Sequence, residues 1–182
     1  MEITKEWFRK NGVCTGGFAW WCMNQDSCPS TVINNLMRDD KFNWANWVII
    51  KLLPRADYVD YAIFATEQVL DIATDIRPKN TIEQVKIFMQ CSNSENLRQT
   101  IDSSVHCGYA AYHGAPHVAY AAYHTACAAI YSNSDMAGFA AISSVLAMAD
   151  KECSPDSTKH NQAKELEKRI VNYAISLVEK LK

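Results

Sequence analysis

Four histidines recur at helical spacing in the middle of the chain and have the clearest capacity for chemistry. They are His106, His113, His117 and His124, separated by seven, four and seven residues. Because an α-helix repeats every ~3.6 residues, histidines four apart lie on one face and can hold zinc together with a third ligand. A metal site formed by His113, His117 and His124 is therefore one hypothesis.

The surroundings of these histidines favour a simpler role. No Asp or Glu lies between Asp102 and Asp135, and Pro116 interrupts the helix between His113 and His117. The alternative is that the histidines are buried, or lie at the rim of the core, and bond to backbone or tyrosine hydroxyls. The sequence also lacks a nucleophile elbow, a phosphate-binding loop, a dinucleotide fingerprint and an H-E-x-x-H helix. It therefore predicts no enzymatic activity and no cofactor, with a metal-binding protein or metal-dependent enzyme as the alternative.

An eleven-residue repeat surrounds two of the histidines. Tyr109-Ala-Ala-Tyr112-His113 recurs as Tyr120-Ala-Ala-Tyr123-His124. Eleven residues make about three helical turns, so both copies would face the same way on an unbroken helix. The rings can fill gaps between alanines with their hydroxyls at the rim, line a small-ligand pocket, or contact a partner. The candidate partner-binding tyrosines are Tyr109, Tyr112, Tyr120 and Tyr123.

All five tryptophans fall within the first 47 residues of the chain. Because tryptophan is enriched at binding hot spots, Trp7, Trp20 and Trp21 are further candidates for partner binding. The alternative is that the tryptophans, including Trp44 and Trp47, form a second small core that joins the N-terminal segment to the rest.

These residues must be positioned by helices, because helix punctuation occurs throughout and alternating strand patterns do not. Alanine makes up a third of the residues from Gly108 to Ala149 and lets helices approach closely. The fold is predicted to be all-α, a compact bundle of about eight to ten helices with an Ala-rich central helix system. Predicted helices span about residues 5–10, 15–23, 27–38, 44–53, 55–73, 81–91 and 94–113, then two Ala-rich helices divided at Asn133, then 161–181.

Some helix ends have specific signals. We expect Thr4 and Asn43 to cap the first and fourth helices, and Gly12 to end the first. Arg77-Pro78 is expected to break the chain before the sixth helix, and residues 154–157 to form the last loop.

Composition limits the possible partners and the compartment. The net charge is -2, with both signs mixed along the chain, which argues against nucleic acid as a partner. The apolar run Trp47–Ile50 is too short for a membrane span. Seven cysteines, an odd number without C-x-x-C spacing, indicate reduced thiols in a cytoplasmic protein. We expect a Trp-rich helical segment over residues 1–40 and a helical domain over 41–182.

Several runs of the chain resemble a family of immunity proteins, which are Ala-rich, all-helical bacterial proteins associated with toxins. The resemblance covers residues 43 to 150. It is carried by Trp44-Ala-Asn-Trp47-Val-Ile-Ile-Lys-Leu-Leu-Pro54, Tyr58-Val-Asp-Tyr61-Ala-Ile-Phe-Ala-Thr-Glu-Gln-Val-Leu70, Arg77-Pro78 with Ile82-Glu83, and His113 with Pro116-His-Val-Ala119. The opening, Ile3-Thr-Lys-Glu-Trp7, resembles a short segment of small phage and prophage proteins.

This resemblance implies a non-enzymatic inhibitor that binds and neutralises a macromolecular effector. The effector would be a toxin or, for a phage-encoded relative, a component of a host defence system such as CRISPR. The expected partner is a protein, with no membrane association, and a homodimer remains open.

Overall fold

The computed structural model describes residues 2–111, 115–151 and 160–181, and these residues confirm the all-α prediction. They contain ten α-helices, a short 3-10 turn at Leu70–Ile72 and no β-strand. The helices are α1 (Lys5–Asn11), α2 (Thr15–Asn24), α3 (Pro29–Arg38), α4 (Phe42–Leu52), α5 (Arg55–Glu67), α6 (Arg77–Gln90), α7 (Ser94–Ala110), α8 (Pro116–Tyr131), α9 (Ser134–Lys151) and α10 (His160–Glu179).

Local capping explains the first helix as predicted. The side chain of Thr4 accepts a hydrogen bond of 3.2 Å from the backbone N–H of Trp7, which satisfies one of the free donors at the start of α1. Gly12 ends the helix in the left-handed conformation, with φ 71°, which glycine adopts without the steric cost of a Cβ.

Two predicted helix boundaries are wrong for physical reasons. The helix predicted to reach Ala73 ends at Glu67, and the chain turns to bury Val69 with φ −126° and ψ 0°; the apolar spacing there reflects burial rather than helix. Pro78 does not interrupt the chain but lies in the first turn of α6, where its missing N–H costs nothing. The carboxylate of Asp75 accepts from the backbone N–H of Arg77 at 2.8 Å and supports that start.

Two smaller expectations also change. Asn43 was expected to cap α4, but the helix begins at Phe42 after Lys41, without a side-chain cap. The helix expected to reach His113 ends at Ala110, and α8 begins at Pro116, so the two copies of the tyrosine repeat do not share one helix. Tyr112, His113 and the loop expected at 154–157 lie outside the described residues.

Helix α8 lies at the centre of the bundle. It packs against α5, α6, α7 and α9, and α9 in turn packs against α4, α5 and α10. The buried faces of α8 and α9 are largely alanine, so these helices approach each other with few large side chains between them. Their buried alanines are Ala119, Ala121, Ala122, Ala126, Ala128, Ala129, Ala137, Ala140, Ala141 and Ala147.

A buried polar chain joins three of these helices. The hydroxyl of Tyr61 on α5 donates to the side-chain oxygen of Asn46 on α4 at 2.8 Å, and the Asn46 amide donates to the carbonyl of Gly138 on α9 at 3.0 Å. Complete burial raises the pKa of Tyr61 above its ordinary value, so the phenol stays neutral and keeps donating. Because each member has a partner, the chain fixes the relative positions of the helices without an unpaired buried group.

The N-terminal segment packs onto the rest of the bundle rather than standing apart. Helix α3 contacts α4 and α10, and the side chain of Ile3 is fully buried. No helix in the described parts of the chain is long and apolar enough to cross a membrane.

Candidate protein-binding surface

Helices α8 and α9 lie side by side and expose large apolar side chains on their outer edge. Alanines occupy most of the buried positions, and several of the larger residues of these helices face outward. Tyr120 is 41% exposed, Phe139 is 48% exposed, and Leu146, seven residues after Phe139 on α9, is 43% exposed. We call this surface the aromatic face and define it by Tyr120, Tyr123, His124, Tyr131, Phe139 and Leu146.

Ring contacts hold the aromatic face together across two helices. The ring centroid of His124 lies 6.3 Å from that of Tyr120, 5.4 Å from that of Tyr123 and 5.6 Å from that of Phe139. A methyl group placed at Gly108 on α7 would lie 3.9 Å from Tyr123, so the face also reaches α7. The positions of these rings are set by rigid, closely packed helices.

The aromatic face carries almost no formal charge. Apart from Asp135, no Asp, Glu, Lys or Arg occurs between residues 103 and 149 of the sequence. Asp135 lies at the start of α9 and pairs with the amine of Lys51 at 2.7 Å, while Asp150 lies at the other end of that helix. The middle of the surface therefore presents rings, methyl groups and hydroxyls to solvent.

The two predicted metal ligands on α8 face different surroundings. The Nε2 atom of His117 lies 3.4 Å from the carboxylate of Asp150, whereas His124 packs among aromatic rings. Burial lowers the pKa of His124, so its imidazole favours the neutral form, and its buried Nδ1 has no hydrogen-bond partner among the described residues. The carboxylate of Asp150 on α9 therefore reaches His117. The sequence between Asp102 and Asp135 contains no carboxylate and could not indicate this contact.

No group of three potential metal ligands occurs among residues 2–111, 115–151 and 160–181. His113 lies outside these ranges, so the three-histidine site stays a prediction. The ring of His106 bonds through Nδ1 to the carbonyl of Asp102 at 2.7 Å, which agrees with the backbone bonding that the alternative expected, but His106 is exposed rather than buried or at the rim of the core.

The thiols divide into buried and exposed groups, and all six that are described are free. Burial raises the pKa of Cys107 to about 11 and also raises that of Cys127, which keeps both thiols protonated and weakly nucleophilic near neutral pH. Cys28 is exposed at the start of α3, and hydrogen bonds, first from Ser30, lower its pKa to about 7.

The predicted partner-binding tryptophans lie mainly inside the protein. Trp20 is buried, and its indole N–H donates to Asp39 at 2.7 Å. Trp7 and Trp21 are half-buried against Phe8, with ring centroids 5.2 Å and 5.1 Å away. These placements favour the alternative in which the tryptophans form a second core.

The predicted tyrosines are more accessible. Tyr109 is 61% exposed at the end of α7, Tyr120 is exposed on α8, and Tyr123 is half-buried beside it. The sequence analysis did not identify Phe139 and Leu146. Their seven-residue spacing places them on one face of a helix made mostly of small residues, which could have indicated an exposed apolar face.

Fold and surface together define the class of protein: an all-α bundle in which closely packed Ala-rich helices present an uncharged aromatic face. Comparisons with known protein families, curated proteins and solved structures find no match to the chain. The resemblance to immunity proteins therefore stays a prediction.

Proposed function

We propose that this chain is a non-enzymatic inhibitor that binds a protein effector through the aromatic face and neutralises it. The observation that carries the proposal is the exposure of Tyr120, Phe139 and Leu146 together on two packed helices. Burying exposed tyrosine and phenylalanine rings against a partner lowers the free energy of the complex. Such residues are enriched in the centres of protein interfaces.

The absence of charge in the middle of this face supports a protein rather than a nucleic acid as the partner. Binding to a phosphate backbone depends on Lys and Arg side chains, and none occurs between residues 103 and 149. A protein surface with an apolar patch meets the aromatic face without leaving a charge unpaired.

Rigid support for the rings favours tight binding. The ring of His124 already contacts the rings of Tyr120 and Phe139, and the alanine packing beneath them fixes their helices. Binding therefore requires little further ordering of side chains, which reduces its entropic cost. The role as an inhibitor, of a toxin or of a host defence complex, rests on the family resemblance.

The test combines neutralisation with binding in one panel. The full chain is co-expressed with each candidate bacterial toxin and with each candidate antiviral complex, and growth or phage plating is measured. For any effector that is neutralised, affinity is compared between the wild type and a variant carrying Phe139→Glu and Leu146→Glu. We expect the double variant to bind at least about tenfold more weakly, because two central apolar contacts become charged.

A matched control separates the site from general effects of added charge. Met23 is 78% exposed on α2, away from the aromatic face, and Met23→Glu should leave neutralisation and affinity unchanged. The proposal fails if no effector in the panel is neutralised, or if a neutralised effector binds the folded double variant as tightly as the wild type.

A further inference from the structure

A half-open cavity of about 250 Å³ lies among α1, α2, α3 and α4, far in the sequence from the aromatic face. Its wall combines aromatic rings with aliphatic side chains. The deepest part is formed by side chains that are themselves buried, namely Phe8, Trp20, Val32, Leu36 and Val48.

The aromatic rim of the cavity is held in place by its neighbours. Trp44 and Trp47 are half-buried there. The amine of Lys41 lies 5.4 Å from the centre of the Trp44 ring, and a methyl group placed at Gly16 would lie only 3.4 Å from that ring. The Trp44 indole thus contacts both a cation and the backbone of α2, so one wall of the cavity is formed before any ligand arrives.

The chemistry of the lining selects a neutral ligand. None of the described residues that line the cavity is Asp, Glu, Lys, Arg or His, so a charged group held inside it would lose its hydration without a counter-ion in the lining. The flat faces of the indole rings favour a planar aromatic partner. At the opening, the exposed Asn43 amide and Cys14 thiol supply the polar groups that could meet one hydrogen-bonding substituent.

Volume sets the size of the ligand. An apolar cavity of about 150 Å³ binds benzene, whereas pockets for drug-sized molecules begin at about 300 Å³. A cavity of about 250 Å³ lies between these sizes and matches two fused rings. We propose that this cavity binds one neutral, planar molecule of two fused aromatic rings, and this binding does not depend on the proposed inhibitor function.

The first test measures binding of indole to the full chain by calorimetry. We expect one saturable site with a dissociation constant on the order of 0.1 mM, and at least about tenfold weaker binding of indole-3-acetate, whose carboxylate would be desolvated. Val32→Phe projects a ring into the cavity and should weaken indole binding at least about tenfold. The matched control, Val105→Phe on the exposed surface of α7, should bind indole as the wild type does.

A second measurement needs no substitution and decides the matter if Val32→Phe does not fold. Cys14 lines the opening, whereas Cys91 is exposed at the end of α6 and does not line the cavity. Saturating indole should slow alkylation of Cys14 by N-ethylmaleimide several-fold and leave the rate at Cys91 unchanged. The proposal is overturned if indole shows no saturable binding, if it leaves the Cys14 rate unchanged, or if folded Val32→Phe still binds it with unchanged affinity.

Discussion

The Trp-rich helices α1 to α4 and the Ala-rich helices α8 and α9 fill their interiors in opposite ways. In the first region, rings of Trp7, Phe8 and Trp47 meet at centroid distances of 5.2 to 6.3 Å and leave a cavity of about 250 Å³ beside them. In the second, the buried side chains are mostly alanine, and α9 also approaches α4 closely: a methyl group placed at Gly138 would lie 3.0 Å from the side chain of Ile50 on α4.

This contrast links side-chain size to the place where binding can occur. Large rigid rings do not fill a small volume completely, so the Trp-rich region keeps internal space for a ligand. Alanines let the buried faces of α8 and α9 approach closely, and several larger residues of the same helices, such as Tyr120 and Phe139, lie outside. The first region offers an apolar cavity, whereas the second offers an exposed aromatic face and, near His117, a recess lined in part by Asp150 and Lys151.

The largest expected effect tests whether the ring cluster is a true core. Phe8 is buried and contacts Trp7, Trp21 and Trp47, so Phe8→Ala removes a central ring and enlarges the neighbouring cavity. We expect the free energy of unfolding, measured by urea denaturation, to fall by about 3–5 kcal/mol. Phe139→Ala, the same change on the exposed surface, should alter it by no more than about 0.5 kcal/mol. A loss below about 1 kcal/mol for Phe8→Ala would show that the N-terminal rings do not form a core.

The next effect comes from enlarging rather than removing a side chain. Ala122 is fully buried on α8, and Ala122→Leu forces new atoms between close-packed helices. The free energy of unfolding should fall by about 1–3 kcal/mol. Ala56→Leu, at an exposed position of α5, serves as the control and should have little effect.

The Trp-rich region should respond in the opposite direction to added volume. Val48 lines the cavity, and Val48→Ile adds one methylene group toward empty space. Its free energy of unfolding should stay the same or rise by up to about 1 kcal/mol. If Ala122→Leu were tolerated and Val48→Ile were strongly destabilising, the difference in packing between the two regions would be reversed.

Sequence alone predicts most of the helices because their signals are local. Thr4 and Gly12 mark the ends of α1, and alanine pairs identify the close-packed centre. The start of α6 was predicted too late because a proline that breaks a helix and one that begins a helix have the same local pattern.

The candidate sites were harder to predict because they depend on contacts between helices. The approach of Asp150 to His117, and the cavity between α1 and α4, exist only once distant segments pack together. The spacing of Phe139 and Leu146 indicates a shared helix face, but their exposure follows from what α9 buries on its other side.

The smallest expected effect concerns the pH dependence of stability and tests how tightly the aromatic face is packed. Burial lowers the pKa of His124 in the folded protein below its ordinary value of ~6.5, and its ring neighbours Tyr120, Tyr123 and Phe139 bring no charge. The folded state therefore binds this proton less readily than the unfolded state. The contribution of His124 to the free energy of unfolding is therefore fully present above its ordinary pKa. It is lost as the pH falls through the lowered pKa of the folded state.

Urea denaturation at pH 7.5 and pH 5.5 measures this loss. We expect His124→Gln to lose less stability on acidification than the wild type does, because the group that favours the unfolded state in acid has been removed. His106→Gln, at an exposed histidine of α7, should keep the wild-type loss. An unchanged loss in His124→Gln would mean that water reaches this imidazole freely, and the aromatic face would then be looser than the alanine helices beneath it.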